Sequence, residues 1–287
     1  MRLSMSNYDI LNLTHDALVV SDRGISKISS PPLLNALSRL KNYSTITRSE
    51  LDEILTENGL NPETAYTFLE SAISIRPAYA PHFEKVFIIH DWKGAIDLEK
   101  LLREEIKTPL EFHKLPFTPS AETIEPNKKY YILIIPDHYN YHQLHNLHFS
   151  LASQLPESAI SVCHHSCNSY HISQPYIPAI GNPCHFCNIG RMIHYENQHT
   201  STQSWSKLLT FCGERRIPIP NKRLSLLQEA LVLGALIKKI GIISHPGDNL
   251  CYQDNILQTT LIDFNNNHID EYTPPHWHLC DCLRIPR

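Results

Sequence analysis

Cys184-His185-Phe186-Cys187 decides how this chain is read, because Cys280-Asp281-Cys282 answers it far downstream. The pattern is C-x2-C, then 92 residues, then C-x-C. A tetrahedral zinc takes four soft ligands, and two short thiolate hooks supply two each. One or two spacer residues keep both sulfurs of a hook on one side of a metal. The long gap makes the predicted metal a staple between distant parts of the chain. Four thiolates leave no open coordination position, so the predicted site is structural and not catalytic. The alternative is four unrelated buried thiols, since cysteine is often simply buried. His185, His276 and His278 stand close enough in sequence to replace a thiolate.

Composition narrows the function classes. A chain of 287 residues with 42% hydrophobic and 19% charged residues can form a real core. Its formal charge of −4 argues against general nucleic-acid binding, which calls for a basic excess. Two hooks of metal spacing among eight cysteines point to a reducing compartment. The opening MRLSMSNYDILNL lacks a continuous apolar core of signal-peptide type. Leu224–Ile243 is the most apolar long run, but Gln228, Glu229, Lys238 and Lys239 make it a buried helix, not a membrane span. The expectation is a soluble, cytoplasmic protein without nucleic-acid or membrane partners.

Residues 1–80 read as a small winged-helix unit of three strands and three helices. The strands are Tyr8–Leu13, Ala17–Ser21 and Ile25–Ser29, the last two joined by Asp22-Arg23-Gly24. Pro31-Pro32 opens a first helix. Thr47-x-x-Glu50 is a capping box for a second, ending at Asn58-Gly59. Asn61-Pro62 starts a third, with Ala65, Phe68, Leu69, Ala72 and Ile73 as its apolar stripe. That helix has no Lys or Arg, so it suits phosphates poorly. The other use of the shape is to offer a strand edge and a groove to a peptide.

Arg76–His82 serves as a linker to residues 81–287, predicted as a parallel α/β domain. Lys85–His90, Tyr130–Ile135 and Ala159–Val162 are buried apolar strands, with a further short one in Pro109–Pro116. Helices are expected at Asp97–Glu105, Tyr141–Leu155, residues 204–211 and Lys222–Lys239, the last capped by Asn221 and stopped by Gly241. Thr259–Phe264 and His268–Tyr272 form a hairpin around Asn265-Asn266-Asn267, and this hairpin delivers the second hook.

A nucleotide site on such a sheet needs a glycine-rich turn after the first strand. Here the strand leads into His90-Asp91-Trp92-Lys93-Gly94-Ala95, with one glycine. Asp137-His138 reads as a solvated loop pair. Cys163 and His164 are neighbours on a strand and point to opposite faces, so they do not form a nucleophile and base. Cys212 and Cys251 look incidental.

The order of α/β sheet, Ile180-Gly-Asn-Pro-Cys-His-Phe-Cys187, long apolar helix, hairpin and terminal thiolate pair resembles the E1/ThiF-like adenylyltransferase fold with its structural zinc. More specifically, Gly181-Asn-Pro-Cys-His-Phe-Cys-Asn-Ile-Gly-Arg191, residues 204–205 and His276-Trp-His-Leu-Cys-Asp-Cys-Leu-Arg284 are similar to the McbB-type subunits of microcin thiazole/oxazole synthetases. The resemblance implies one structural zinc per chain on Cys184, Cys187, Cys280 and Cys282. It implies a non-catalytic scaffold subunit that holds the leader of a precursor peptide, as a homodimer within a hetero-oligomer. The implied partners are a YcaO-type cyclodehydratase that uses ATP and a dehydrogenase that uses FMN. Residues 1–80 would be the winged-helix peptide clamp and 81–287 the E1/ThiF-like domain with the zinc. The leader would lie beside Ile25, Ser26, Lys27 and Ile28, against Phe68 and Ala72 of the third helix. A self-sufficient adenylyltransferase is the competing expectation, and a zinc-stabilised winged-helix regulator the third.

Overall fold

The computed structural model describes residues 2–13, 16–21, 23–43, 45–77, 82–119, 124–125, 128–198, 205–220, 222–244 and 257–284. The chain divides into two compact units, Met1–Ala80 and Pro81–Arg287.

The first unit holds two three-stranded sheets and three helices. The strands are β1 (Arg2–Ser4), β2 (Tyr8–Asn12), β3 (Ala17–Ser21), β4 (Gly24–Ile28), β5 (Thr45–Thr47) and β6 (Arg76–Pro77). The helices are α1 (Pro31–Leu40), α2 (Arg48–Glu57) and α3 (Pro62–Ile73). β2, β3 and β4 form an antiparallel meander, and β1 lies between β5 and β6. The predicted count of three strands is therefore too low. β1, β5 and β6 have two or three residues each, too few to show a period, and their partners lie more than 40 residues apart. Arg76-Pro77 pairs with β1 and is not a free linker.

Local chemistry sets the helix ends. Thr47 accepts from the Glu50 N–H at 3.2 Å, and Glu50 accepts from the Thr47 N–H at 2.9 Å, a complete capping box. Gly59 takes φ +73° after α2, a conformation that a side chain would strain. Asn61 caps α3 through the Thr64 N–H. Leu37, Leu40, Leu51, Leu55, Leu69 and Ile73 are fully buried in one core. Two polar bonds tie the meander to it: the Tyr8 hydroxyl donates to the Leu37 carbonyl, and Ser21 donates to the Ala72 carbonyl.

The second unit is a seven-stranded sheet with helices on both faces. Its elements are β7 (Lys85–His90), α4 (Leu98–Glu105), β8 (Leu110–Lys114), β9 (Tyr130–Ile135), α5 (Tyr141–Gln154), β10 (Ala159–Ser166), β11 (Ser169–Ile172), α6 (His185–Gln198), α7 (Trp205–Glu214), α8 (Leu226–Ser244), β12 (Thr259–Asp263), β13 (His268–Tyr272) and a 3-10 turn, Asp281–Arg284. The strand order is β13-β12-β11-β10-β9-β7-β8. On β9, Tyr130, Ile132 and Ile134 join the core under α5, α6 and α7. Tyr131, Leu133 and Ile135 join the core under α4 and α8. Both faces are covered, which is why the strand is apolar at every position.

The sheet is mixed, not parallel throughout. β8, β7, β9 and β10 run parallel, while β10 to β13 alternate antiparallel. The reversal sits at Cys167-Asn168, where Cys167 takes φ +52° and Ser166 faces Ser169. A two-residue link can only return a strand antiparallel. α8 also departs from expectation. It starts at Leu226, where Ser225 and Gln228 exchange bonds as a capping box, and the predicted cap Asn221 lies outside the described residues. Gly241 does not stop it. A helical glycine costs only about 1 kcal/mol, and the fully buried Ile240 and Ile243 hold the last turn in place.

Candidate metal centre

The first hook is held by buried amides. Gln174 is fully buried, and its Nε2 donates to the carbonyls of Pro183 and Cys184 at 2.9 and 2.8 Å. Asn182 accepts from the Ile177 N–H at 2.9 Å and donates to the Pro175 carbonyl at 2.7 Å. Gly181 turns the chain at φ +71°. Together these set Cys184 immediately before α6, and Cys187 follows one turn on along the same side of the helix.

The second hook follows β13. The Cys280 N–H donates to the Trp277 carbonyl at 3.0 Å, and Cys282 falls in the 3-10 turn. The Trp277 ring lies directly on α6 at Gly190, where an added Cβ would come within 2.6 Å of the indole. Glycine at 190 therefore lets the second hook close on the first.

The four thiols meet. Sγ–Sγ distances are 4.0 Å for Cys184–Cys187, 3.4 Å for Cys184–Cys280 and 3.4 Å for Cys187–Cys282. All four sulfurs lie within 4.8 Å of one another, and all four residues are buried. A zinc tetrathiolate with bonds of about 2.3 Å has edges of about 3.8 Å, so the donor set fits one tetrahedral ion. Burial and the adjacent thiols push the Cys184 pKa up. Hydrogen bonds from those thiols and from the Trp277 backbone N–H hold Cys187 far down. A divalent cation relieves the conflict by taking all four as thiolates.

The neighbouring histidines differ in how near they come to the thiols. His276 donates from Nε2 to the Gly181 carbonyl at 3.0 Å and turns Nδ1 toward Cys187 at 3.7 Å and Cys282 at 4.0 Å. Its bond to Gly181 ties the loop of the second hook to the turn ahead of α6. His185 pairs with the Tyr139 hydroxyl at 2.9 Å, and His278 lies beside the Trp277 ring. Burial lowers the pKa of His148 to about 3 and of His171 to about 4, and holds His164 and His185 well below 6.5. These four rings are therefore neutral at pH 7, whereas His276 is shifted upward: burial lowers its pKa, but hydrogen bonds to Cys187 and Cys282 outweigh that. Cys163 and His164 face opposite cores, as strand alternation requires, and burial pushes the Cys163 thiol up. Cys212 is buried in the core, and Cys251 lies outside the described residues.

Sequence reasoning missed Gln174, Asn182 and Trp277. Gln174 and Asn182 bind backbone groups, which leave no residue pattern to read. Trp277 stands between His276 and His278 in the quoted motif, but its packing partner Gly190 lies 87 residues upstream.

The predicted peptide edge is divided by the structure. Ile25 is 70% exposed, Lys27 is exposed and pairs with Asp16 at 2.7 Å, and Ser26 is half-buried. Ile28 at 4% and Ala72 at 3% belong to the core, so neither lines an open groove; their apolar side chains close the first unit beneath the meander. Phe68 lines an open groove along α3 with Glu63, Thr64, Thr67 and Ser71. Among the described residues β4 pairs only with β3. Ser21 faces Gly24 across a two-residue turn, so this pair exchanges hydrogen bonds and the pattern alternates from there. Ile25 and Lys27 consequently point their backbone N–H and C=O outward, and Ile28 points its own toward β3.

Residues 3–284 match the family model described as microcin B17-processing protein McbB. The chain belongs to the McbB family. The Escherichia coli microcin B17-processing protein McbB is 23% identical over 117 residues, a stretch that spans 40% of this chain and 40% of that protein. A chain of the E. coli microcin synthetase McbBCD complex with pro-MccB17 bound superposes with a TM-score of 0.76 at 17% identity, covering 98% of this chain and 99% of that one. The heterocyclase TruD matches with a TM-score of 0.50 at 12% identity over 99% of this chain and 42% of its own. At these identities the superpositions show a shared fold. No helix among the described residues is long and apolar enough to cross a membrane.

Proposed function

We propose that this chain is the zinc-containing scaffold and leader-peptide-binding subunit of a heterocyclase complex. Such a complex converts Cys, Ser and Thr of a ribosomal precursor peptide to thiazoles and oxazoles. The observation that carries the reading is the McbB family match across residues 3–284. In this reading Cys184, Cys187, Cys280 and Cys282 hold one structural zinc, which ties α6 to the segment after β13. A YcaO-type partner supplies ATP-dependent cyclisation and an FMN-dependent partner the oxidation, with the present chain as a homodimer between them. Residues 1–80 act as a winged-helix clamp. The leader adds as a strand to the outer edge of β4, where the Ile25 and Lys27 backbone groups face outward, with apolar contacts near Phe68. The self-sufficient adenylyltransferase reading is disfavoured by the loop after β7, which carries the single glycine Gly94.

The test places proline where it blocks the edge but spares the fold. Lys27→Pro removes an outward N–H, whereas proline at Ile28 would break the ladder to β3 and the core. A fluorescently labelled leader peptide should bind Lys27→Pro at least about 10-fold more weakly than wild type, the loss of about 1.4 kcal/mol of strand-addition contacts. Lys27→Ala keeps the N–H and should bind like wild type. Equal anisotropy titrations for wild type and Lys27→Pro would place the leader elsewhere.

A further inference from the structure

The strand order β8-β7-β9-β10 reverses direction of growth between β7 and β9. In open α/β sheets a ligand sits outside the carboxyl ends of the strands at such a switch point. The segment there is Asp91–Asp97, which leads from β7 into α4. Backbone N–H groups ahead of a helix make a seat for an oxyanion. In this chain the seat is filled from inside. The Ala95 N–H donates to Glu229 Oε1 at 3.0 Å, and the Ile96 N–H donates to Glu229 Oε2 at 2.9 Å. Glu229 comes from the first turn of α8, more than 130 residues away in sequence, and is 4% exposed.

A cavity of about 310 Å³ adjoins the carboxylate, lined among others by Trp92, Lys93, Tyr170, Lys222 and Arg223. Its charges do not cancel. Lys93 is paired with Asp137 at 3.1 Å, and Glu229 is held by the two N–H groups. Lys222 and Arg223 form no ion pair with a described residue. The Tyr170 hydroxyl is a second, independent sign of a ligand site. The residue is 3% exposed, it lines the cavity, and its buried oxygen has no hydrogen-bond partner among the described residues. An acid in a first helical turn also favours the dipole of α8. That role needs only proximity to the helix end. It does not explain why both oxygens are spent on another segment beside a donor and two cations that pair with no described residue.

We propose that Glu229 is a built-in anion seated in the oxyanion site of this sheet, and that a small external oxyanion takes the seat when the carboxylate is removed. The neighbouring Tyr170, Lys222 and Arg223 would serve that anion. The proposal is independent of the peptide reading. It also gives a physical reason for the chain not to bind a triphosphate at this place, since the carboxylate already occupies the donors.

The experiment compares thermal unfolding of the full chain with and without millimolar inorganic pyrophosphate. Glu229→Ala should unfold at lower temperature than wild type. Pyrophosphate should raise its midpoint by about 4 °C or more while moving wild type by less than about 1 °C. Glu229→Gln keeps the shape, accepts one of the two N–H bonds and still blocks the seat, so pyrophosphate should move it little. Adding Lys222→Ser and Arg223→Ser to Glu229→Ala should abolish the rescue. The proposal is overturned if Glu229→Ala responds no more than wild type, if Glu229→Gln responds as strongly as Glu229→Ala, or if Glu229→Ala stays insoluble in pyrophosphate while Glu229→Gln folds.

Discussion

The thiol cluster of the second unit and the outer edge of β4 in the first present their polar groups in opposite ways. The cluster works through side chains. Four sulfurs from two segments converge in a buried space, fixed by Gln174, Asn182 and the Trp277–Gly190 contact. The β4 edge presents backbone. Its donors and acceptors are those of any strand, and the side chains Ile25 and Lys27 lie exposed beside them. Side-chain recognition is written in residue type and spacing. Backbone recognition is written only in which strand lacks a neighbour, and that is a property of topology.

The contrast can be broken most forcefully at the cluster. Structural zinc sites contribute about 10–16 kcal/mol of apparent binding energy at neutral pH, more than the whole stability of an ordinary domain. Cys280→Ser should therefore give a chain without bound metal that is largely insoluble. Metal analysis and circular dichroism read the result. A soluble, native-like Cys280→Ser chain would reduce the cluster to packed thiols and erase its difference from the rest of the core.

A smaller effect tests a buried neutral ring of the same unit, His171 on β11. Burial lowers the His171 pKa to about 4 from an ordinary 6.5, with His165 adding to the shift. The folded chain then binds fewer protons than the unfolded chain between those values. Stability is full above pH 6.5 and falls as the pH drops toward 4, by about 3 kcal/mol from this residue. Thermal unfolding across this range should show a shallower fall for His171→Gln than for wild type. Metal loss at low pH acts on both chains, so the difference between the two curves isolates the histidine. Parallel curves would mean that His171 takes up its proton without cost.

The smallest effect sharpens the first unit. Thr47→Ala removes one half of the capping box on α2 and should cost about 1 kcal/mol. Denaturant unfolding should register it as a lower midpoint with unchanged slope. A loss several times larger would show that β5, which ends at Thr47, depends on the cap for its pairing with β1.

Much of the architecture was legible in advance because it rests on short-range chemistry. The capping box at Thr47, the Asn61 cap, the apolar strand at Tyr130–Ile135 and the Asn265–Asn267 turn each lie within a few residues of sequence. The hooks were legible because thiolate pairs have few other uses at that spacing. β1, β5 and β6 were not, because strands of two or three residues carry no period and are defined by distant partners. The start of α8 was misplaced because Asn221 is as good a cap by type as Ser225, and only the chain's path chooses between them.

By itself, then, the sequence determined the helix caps, the two buried faces of the central strands and the identity of the four thiols, since each follows from residue type at short spacing. Only the tertiary structure decided that the sheet turns antiparallel after β10, that Ile28 and Ala72 are core while Ile25 and Lys27 face outward, and that Glu229 reaches across to the Ala95 and Ile96 N–H groups. Those outcomes depend on which segments meet across tens of residues, and the free energy that selects among such meetings is shared over the whole core.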